Sequence, residues 1–124
     1  MIPEDLKYAE THEWARITDI VEVGLTDYAI EQLGDIVFVE LPAVGDPVTA
    51  NNPFAVVESV KAVSDIHSPV TGTVTEINEQ ILDNYDIFKS AAFTDAWLVK
   101  IQPADLTETE ALMTPDQYSD HISS

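Results

Sequence analysis

Lysine is scarce in this chain, and one of the four stands in an unusual setting. Lys61 sits in Val57-Glu58-Ser59-Val60-Lys61-Ala62, between the strand-like run Phe54-Ala55-Val56-Val57-Glu58-Ser59 and a second run from Ala62 to Ile66. If the two runs pair as a hairpin, Lys61 lies at its tip. A primary amine held there is accessible to a modifying enzyme, and a rigid base gives any flexible arm built on it free reach. Taken alone, a lysine in a turn is nearly always a solvated charge, since turns are polar as a rule. Lys7, Lys89 and Lys100 have no comparable setting and read as surface charges.

Other chemistries find little support. There is no cysteine, which excludes a disulfide framework and a thiolate metal site. His12, His67 and His121 are scattered without ligand spacing, so no metal is expected. No Gly-rich phosphate loop, Gly-x-Ser-x-Gly elbow or His-Glu-x-x-His occurs, and no nucleophile–base pair can be nominated. The chain reads as a non-enzyme.

The elements that must position Lys61 are mostly strands. Val21-Glu22-Val23-Gly24-Leu25 and Thr73-Val74-Thr75-Glu76-Ile77 alternate apolar and polar residues, as half-buried strands do. Ile36-Val37-Phe38-Val39-Glu40-Leu41, stopped by Pro42, and Trp97-Leu98-Val99-Lys100-Ile101 are denser strand runs, and Gly45-Asp46-Pro47-Val48 is a turn entering a strand. Thr26 is placed to cap a short helix through Leu33, with Gly34 at its stop. Thr107-Glu108-Thr109-Glu110 and Thr114-Pro115-Asp116-Gln117 have the capping-box form, which predicts helical turns after residue 105. With 124 residues and no linker, one domain spanning 1–124 is expected: a small, mainly β sandwich or flattened barrel with a helical tail over about 106–122.

Twenty-three acids against five bases set the net charge at −18, so nucleic acid and anionic membrane are repelled. The acids serve either solvation, as in a salty cytoplasm, or steering toward basic patches on partner proteins. No stretch approaches the roughly 20 apolar residues of a membrane span. Met1-Ile2-Pro3-Glu4-Asp5 resembles neither a signal nor a transit peptide. A cytoplasmic location is expected, or a mitochondrial matrix one if a transit peptide has been removed.

The segment Val56-Val57-Glu58-Ser59-Val60-Lys61-Ala62-Val63-Ser64-Asp65-Ile66 resembles the lipoylation site of glycine cleavage H proteins. Leu6-Lys7-Tyr8, His12-Glu13-Trp14, Val23-Gly24-Leu25-Thr26-Asp27 and Leu33 to Pro42 match the same family, and the resemblance runs from about Leu6 to Tyr118. Biotin carriers usually set the lysine between methionines, and dehydrogenase lipoyl domains tend to put Asp before it; here the neighbours are Val60 and Ala62.

The resemblance implies a lipoyl/biotinyl-carrier-like hybrid barrel, with the carrier hairpin over about 54–78 and Ser68 to Val74 and Asn78 on its return strand. It implies lipoic acid in amide linkage to Lys61, with Glu58, Ser59, Val60 and Ala62 as the attachment motif. It further implies a monomeric shuttle that takes an aminomethyl group from the P protein (glycine decarboxylase) to the T protein (aminomethyltransferase). The L protein (dihydrolipoyl dehydrogenase) would reoxidise the arm, and lipoylating enzymes would install it. Family position marks Glu13 and Asp65 as carboxylates of a cleft that shelters the loaded arm. His12 reads as a packing residue beside Trp14, and His67 as an exposed residue.

The chain departs from the family pattern in two places. Ile17-Thr18-Asp19-Ile20 is a short turn where many members have a longer loop, and Ala92-Phe93-Thr94-Asp95-Ala96-Trp97 replaces a Pro-Tyr…Gly-Trp segment. The second leaves open an H-like carrier serving another pathway, such as lipoyl relay or sulfur metabolism. An unmodified acidic interaction module is a further alternative.

Overall fold

The computed structural model describes residues 3–123. Among the described residues, nine strands form two antiparallel sheets. Strands β1 (Lys7–Tyr8), β2 (Glu13–Ile17), β3 (Val21–Leu25), β5 (Pro47–Val48), β8 (Gly72–Ile77) and β9 (Trp97–Pro103) make a six-stranded sheet in the order β1-β2-β3-β9-β8-β5. Strands β4 (Ile36–Glu40), β6 (Pro53–Ser59) and β7 (Val63–His67) make a three-stranded sheet in the order β4-β6-β7. Their alternating residues turn inward onto one core: Val21, Val23 and Leu25 of β3 and Leu98, Val99 and Ile101 of β9 meet Val39, Val57 and Ile66 of the smaller sheet. The carrier-type sandwich expected from the sequence is the fold observed.

The chain passes from β3 to β4 through α1 (Asp27–Leu33), which buries Ile30. The Thr26 hydroxyl caps it by accepting from the Ala29 N–H at 3.2 Å. Gly34 ends it with φ 81° and ψ −145°, while its N–H still reaches the Ile30 carbonyl. That backbone region is closed to side chains bearing a Cβ, so the stop needs glycine in an extended positive-φ form rather than a left-handed turn. Two short helices that the alternation of residues did not reveal, α2 (Gln80–Asp83) and α3 (Ile87–Ser90), bury Ile81 and Phe88.

The hairpin is shorter than expected. β6 turns directly into β7, and the pair closes within Pro53–His67. Residues after His67 leave this sheet: Ser68 and Asn51 to Asn52 exchange backbone hydrogen bonds, Val70 is fully buried, and β8 then pairs with β9 and β5. Gly72–Ile77 accordingly belong to the six-stranded sheet, not to the hairpin.

The helical tail comes in two pieces, a 3-10 helix over Leu106–Ala111 and α4 over Pro115–Ser123. Asp105, not Thr107, caps the first, accepting from the Thr107 N–H at 2.9 Å. The second has the reciprocal box read from the sequence: Thr114 N–H to Gln117 Oε1 at 2.9 Å, and Gln117 N–H to Thr114 Oγ1 at 3.3 Å. Between them Met113 pairs with Tyr8, so α4 packs its buried Tyr118 against Leu6, Tyr8 and Trp14.

Candidate functional site

Ser59 builds the tip of the β6–β7 hairpin. It occupies an inward position and is 8% exposed. Its N–H donates to the Ala62 carbonyl at 2.8 Å, and its hydroxyl donates to the same oxygen at 3.2 Å. The hydroxyl in turn accepts from the Ala62 N–H at 3.1 Å and the Lys61 N–H at 3.3 Å. One serine thereby engages the Lys61 and Ala62 N–H groups and the Ala62 carbonyl, as Ser commonly does in turns. The Val60 N–H donates to the Asp35 carbonyl at 3.1 Å, which ties the tip to the chain entering β4. Glu58, opposite Val63 on the outer face of the sheet, is half-buried.

On this base Lys61 is exposed, as are Val60 and Ala62, and it enters none of the ion pairs found among the described residues. Its stem leans toward the end of α1: a Cβ built on Gly34 would lie 3.6 Å from Lys61 Cε. Beside it a groove of about 350 Å³ opens between α1 and α3, lined by Asp27, Ile30, Glu31, Gly34, Phe88 and Lys89. Lys89, expected as an unremarkable surface charge, pairs with Asp35 near its rim, which lowers the carboxyl and raises the amine from their ordinary values. None of these groove residues was singled out from the sequence as part of a site. The signal available was the 27, 30, 31, 34 spacing, one helical face ending on a glycine.

The two carboxylates expected to line a cleft are placed otherwise. Glu13 is 1% exposed. Thr11 Oγ1 donates to one of its oxygens and the His67 N–H to the other at 3.0 Å. Burial pushes its carboxyl above the ordinary range, and the two donors only partly offset this. It is a sealed group that fastens β2 to the end of β7, not a carboxylate open to an arm. Asp65 is exposed on the outer face of β7, opposite Val56. The structure thus does not join the pair in one cleft.

His67 is half-buried rather than exposed, with Nδ1 covered, 3.9 Å from Glu13 Oε2 and without a hydrogen-bond partner among the described residues. His12 packs on the rings of Tyr28, Tyr118 and His121. Its φ is 77°, and its Nδ1 is hydrogen-bonded to the Tyr118 hydroxyl at 2.8 Å, which also meets Thr26 Oγ1 at 2.8 Å. Its ring stacks toward Tyr28 and His121 at centroid distances of 4.8 and 5.6 Å. Burial, then the neighbouring His121, lowers the His12 pKa; burial pushes Tyr118 up to about 12. No cluster of three or more metal-ligating side chains occurs among the described residues.

The divergent segment before β9 contributes through its backbone and through Phe93, whose ring meets Tyr8 edge-to-face at a centroid distance of 6.5 Å. The Trp14 indole N–H donates to the Ala92 carbonyl at 2.8 Å, and Arg16 donates to the Phe93 carbonyl at 2.9 Å. Ala96 is fully buried.

The sequence profile of the glycine cleavage H-protein family matches residues 6–124. The chain belongs to that family. It is 47% identical over 123 residues to the glycine cleavage system H protein of Halalkalibacterium halodurans, covering 98% of this chain and 96% of that one. It is also 47% identical over 122 residues to the probable glycine cleavage system H protein of Haloarcula marismortui, with the same coverage. The crystal structure of a glycine cleavage system H protein from Mycobacterium marinum superposes with a TM-score of 0.92 at 35% identity, over 99% of this chain and 100% of that one. Proteins of this family are the lipoate-carrying components of glycine cleavage. No helix among the described residues is long and apolar enough to cross a membrane.

Proposed function

We propose that Lys61 carries lipoic acid through an amide. On that arm the chain shuttles the aminomethyl group of glycine from the P protein to the T protein and electrons to the L protein. The observation that carries this reading is the exposed Lys61, without an ion pair among the described residues, on a turn fastened by Ser59. When bound, the lipoyl group supplies a dithiol–disulfide couple that no cysteine of this chain could provide.

The residues present fit such a group. Gly34 leaves the lysine stem free to bend over the end of α1, and the groove beyond offers Ile30 and Phe88 to an aliphatic chain. Asp27 and Glu31 on its lining attract a protonated amine at the arm's end, where a charge-assisted hydrogen bond is stronger than a neutral one. We place the sheltering cleft there rather than at Glu13. The chain itself acts by tethering: it raises the effective concentration of the arm at each partner's active site. A cytoplasmic location accords with this role. The alternative duties in lipoyl relay or sulfur metabolism rested on the divergent 92–97 segment, which keeps its place on the fold through the Ala92 and Phe93 carbonyls, the Phe93 ring beside Tyr8 and the buried Ala96.

Incubation with a lipoate–protein ligase, ATP and lipoate, followed by intact mass and peptide mapping, tests the reading. A single adduct on Lys61 is expected. Modification at Lys7, Lys89 or Lys100 instead would refute it.

A further inference from the structure

Apolar side chains left in water are costly when they gather, and here they gather around Lys61. Of the seven large apolar side chains that are exposed among the described residues, four lie at this end of the molecule: Val37, Phe38, Val60 and Val63. The fold goes out of its way to present two of them. Ile36 pairs with Ser59 and Phe38 with Glu58, so Val37 is an extra, unopposed residue in β4. In a regular strand Val37 and Phe38 would face opposite sides. The bulge turns both outward, 52% and 45% exposed, while Val39 beyond it is only 3% exposed.

The registers place these residues on one surface. Phe38, Glu58 and Val63 form a row across the outer face of β4-β6-β7. The next row is Glu40, Val56 and Asp65. Strands lie about 4.8 Å apart, so each row spans roughly 10 Å. Val60, 69% exposed, caps the first row at the hairpin tip beside Lys61. The surface alternates apolar and acidic groups immediately beneath the lysine.

We propose that this face is the docking surface for the enzyme that acylates Lys61, and that the enzyme meets it with apolar side chains set among lysines or arginines. The proposal rests on the lipoyl-lysine reading above. Geometry selects this partner among those that handle the arm. An enzyme acting on Nζ must bring its active site to the hairpin tip, where Val60 precedes the lysine and Val63 lies two residues beyond it, whereas enzymes acting at the arm's far end need not touch the tip. Charge selects against a second copy of the chain, because Glu40, Glu58 and Asp65 would face themselves across such a contact on a molecule of net charge −18. Exposed apolar residues rimmed by acids fit a complementary basic rim.

The test measures lipoylation kinetics of the full chain with a lipoate–protein ligase, ATP and lipoate, varying the carrier concentration. Phe38→Ser combined with Val63→Ser should raise KM for the carrier about tenfold, the effect of losing one interface hot spot, with kcat little changed. Glu40→Lys should raise KM at low salt and flatten its salt dependence. Val44→Ser combined with Leu106→Ser, which removes exposed apolar groups elsewhere, should behave as wild type. A KM within twofold of wild type in the Phe38/Val63 variant, with an unchanged melting curve, would overturn the proposal. Should that variant fold poorly, Val63→Ser alone at the open tip carries the same test. Wild-type protein left unmodified at Lys61 would instead refute the lipoyl-lysine reading, so the two failures are distinguishable.

Discussion

Lys61 and Ser59 divide the work at the hairpin tip. Lys61 makes no ion pair among the described residues, so Lys61→Ala should change unfolding free energy by no more than about 0.5 kcal/mol in urea titration. Lys61→Arg should fold as well yet take up no lipoate, because a guanidinium is not the amine nucleophile required. Ser59→Ala removes one hydroxyl from three hydrogen bonds of the turn and should destabilise by about 1–2 kcal/mol, with slower lipoylation as the tip loosens. Glu13 is a different kind of residue, a buried carboxyl whose folded pKa is raised. Between the ordinary carboxylate range and that raised value the folded state binds a proton that the unfolded state has released. Stability from this group therefore falls as pH rises through that window. Glu13→Gln, which keeps an acceptor for the His67 N–H and a donor toward Thr11, should remove that slope and be the more stable protein at neutral pH. Urea unfolding of both proteins across the window checks this; parallel curves would show that Glu13 is not the titrating group.

At the scale of elements, α4 is held to the start of α1 through one hydroxyl. Tyr118 is fully buried, and its OH meets both His12 Nδ1 and Thr26 Oγ1, the cap of α1. Tyr118→Phe leaves both of those groups short of a partner, and a loss of about 1–3 kcal/mol is expected in equilibrium unfolding. The same junction responds to acid. His12 has a folded pKa below its ordinary 6.5, so as pH falls past that value the unfolded chain binds a proton that the folded one resists. Docking of α4 should weaken progressively below that pH, read as faster amide hydrogen exchange over Pro115–Ser123 before the sheets exchange. Uniform protection across that pH range would rule out His12 as the cause.

The whole molecule carries its −18 charge on a small surface, and the five bases offset few of the 23 acids. Like-charge repulsion opposes compaction and long-range attraction speeds encounter with basic partners. The Debye length falls from about 10 Å at 0.1 M salt to about 3 Å at 1 M, so both effects should fade together. The melting temperature should rise with salt while the association rate of lipoylated carrier with its cognate P protein drops. Stopped-flow association across that salt range checks the second expectation, and a flat rate from folded protein would assign the acids to solubility alone.

Most of the strand plan was legible because it is local: alternation at period two, Thr26 and Gly34 bounding a helix, and the Thr114–Gln117 box all act within a few residues. The placement of Lys61 at a tip was legible for the same reason, since two strand runs flank it directly. What only the tertiary structure decided are the properties that depend on residues distant along the chain. Glu13 meets His67 across 54 positions and becomes a sealed clasp instead of a cleft carboxylate. His12 meets Tyr118 across 106 positions. Val37 and Phe38 read only as part of a dense strand run, and it is the bulge against Ser59 and Glu58 that turns both to solvent. Periodicity reports which way a side chain points along its own strand, but burial and partnership are set by what another element brings against it.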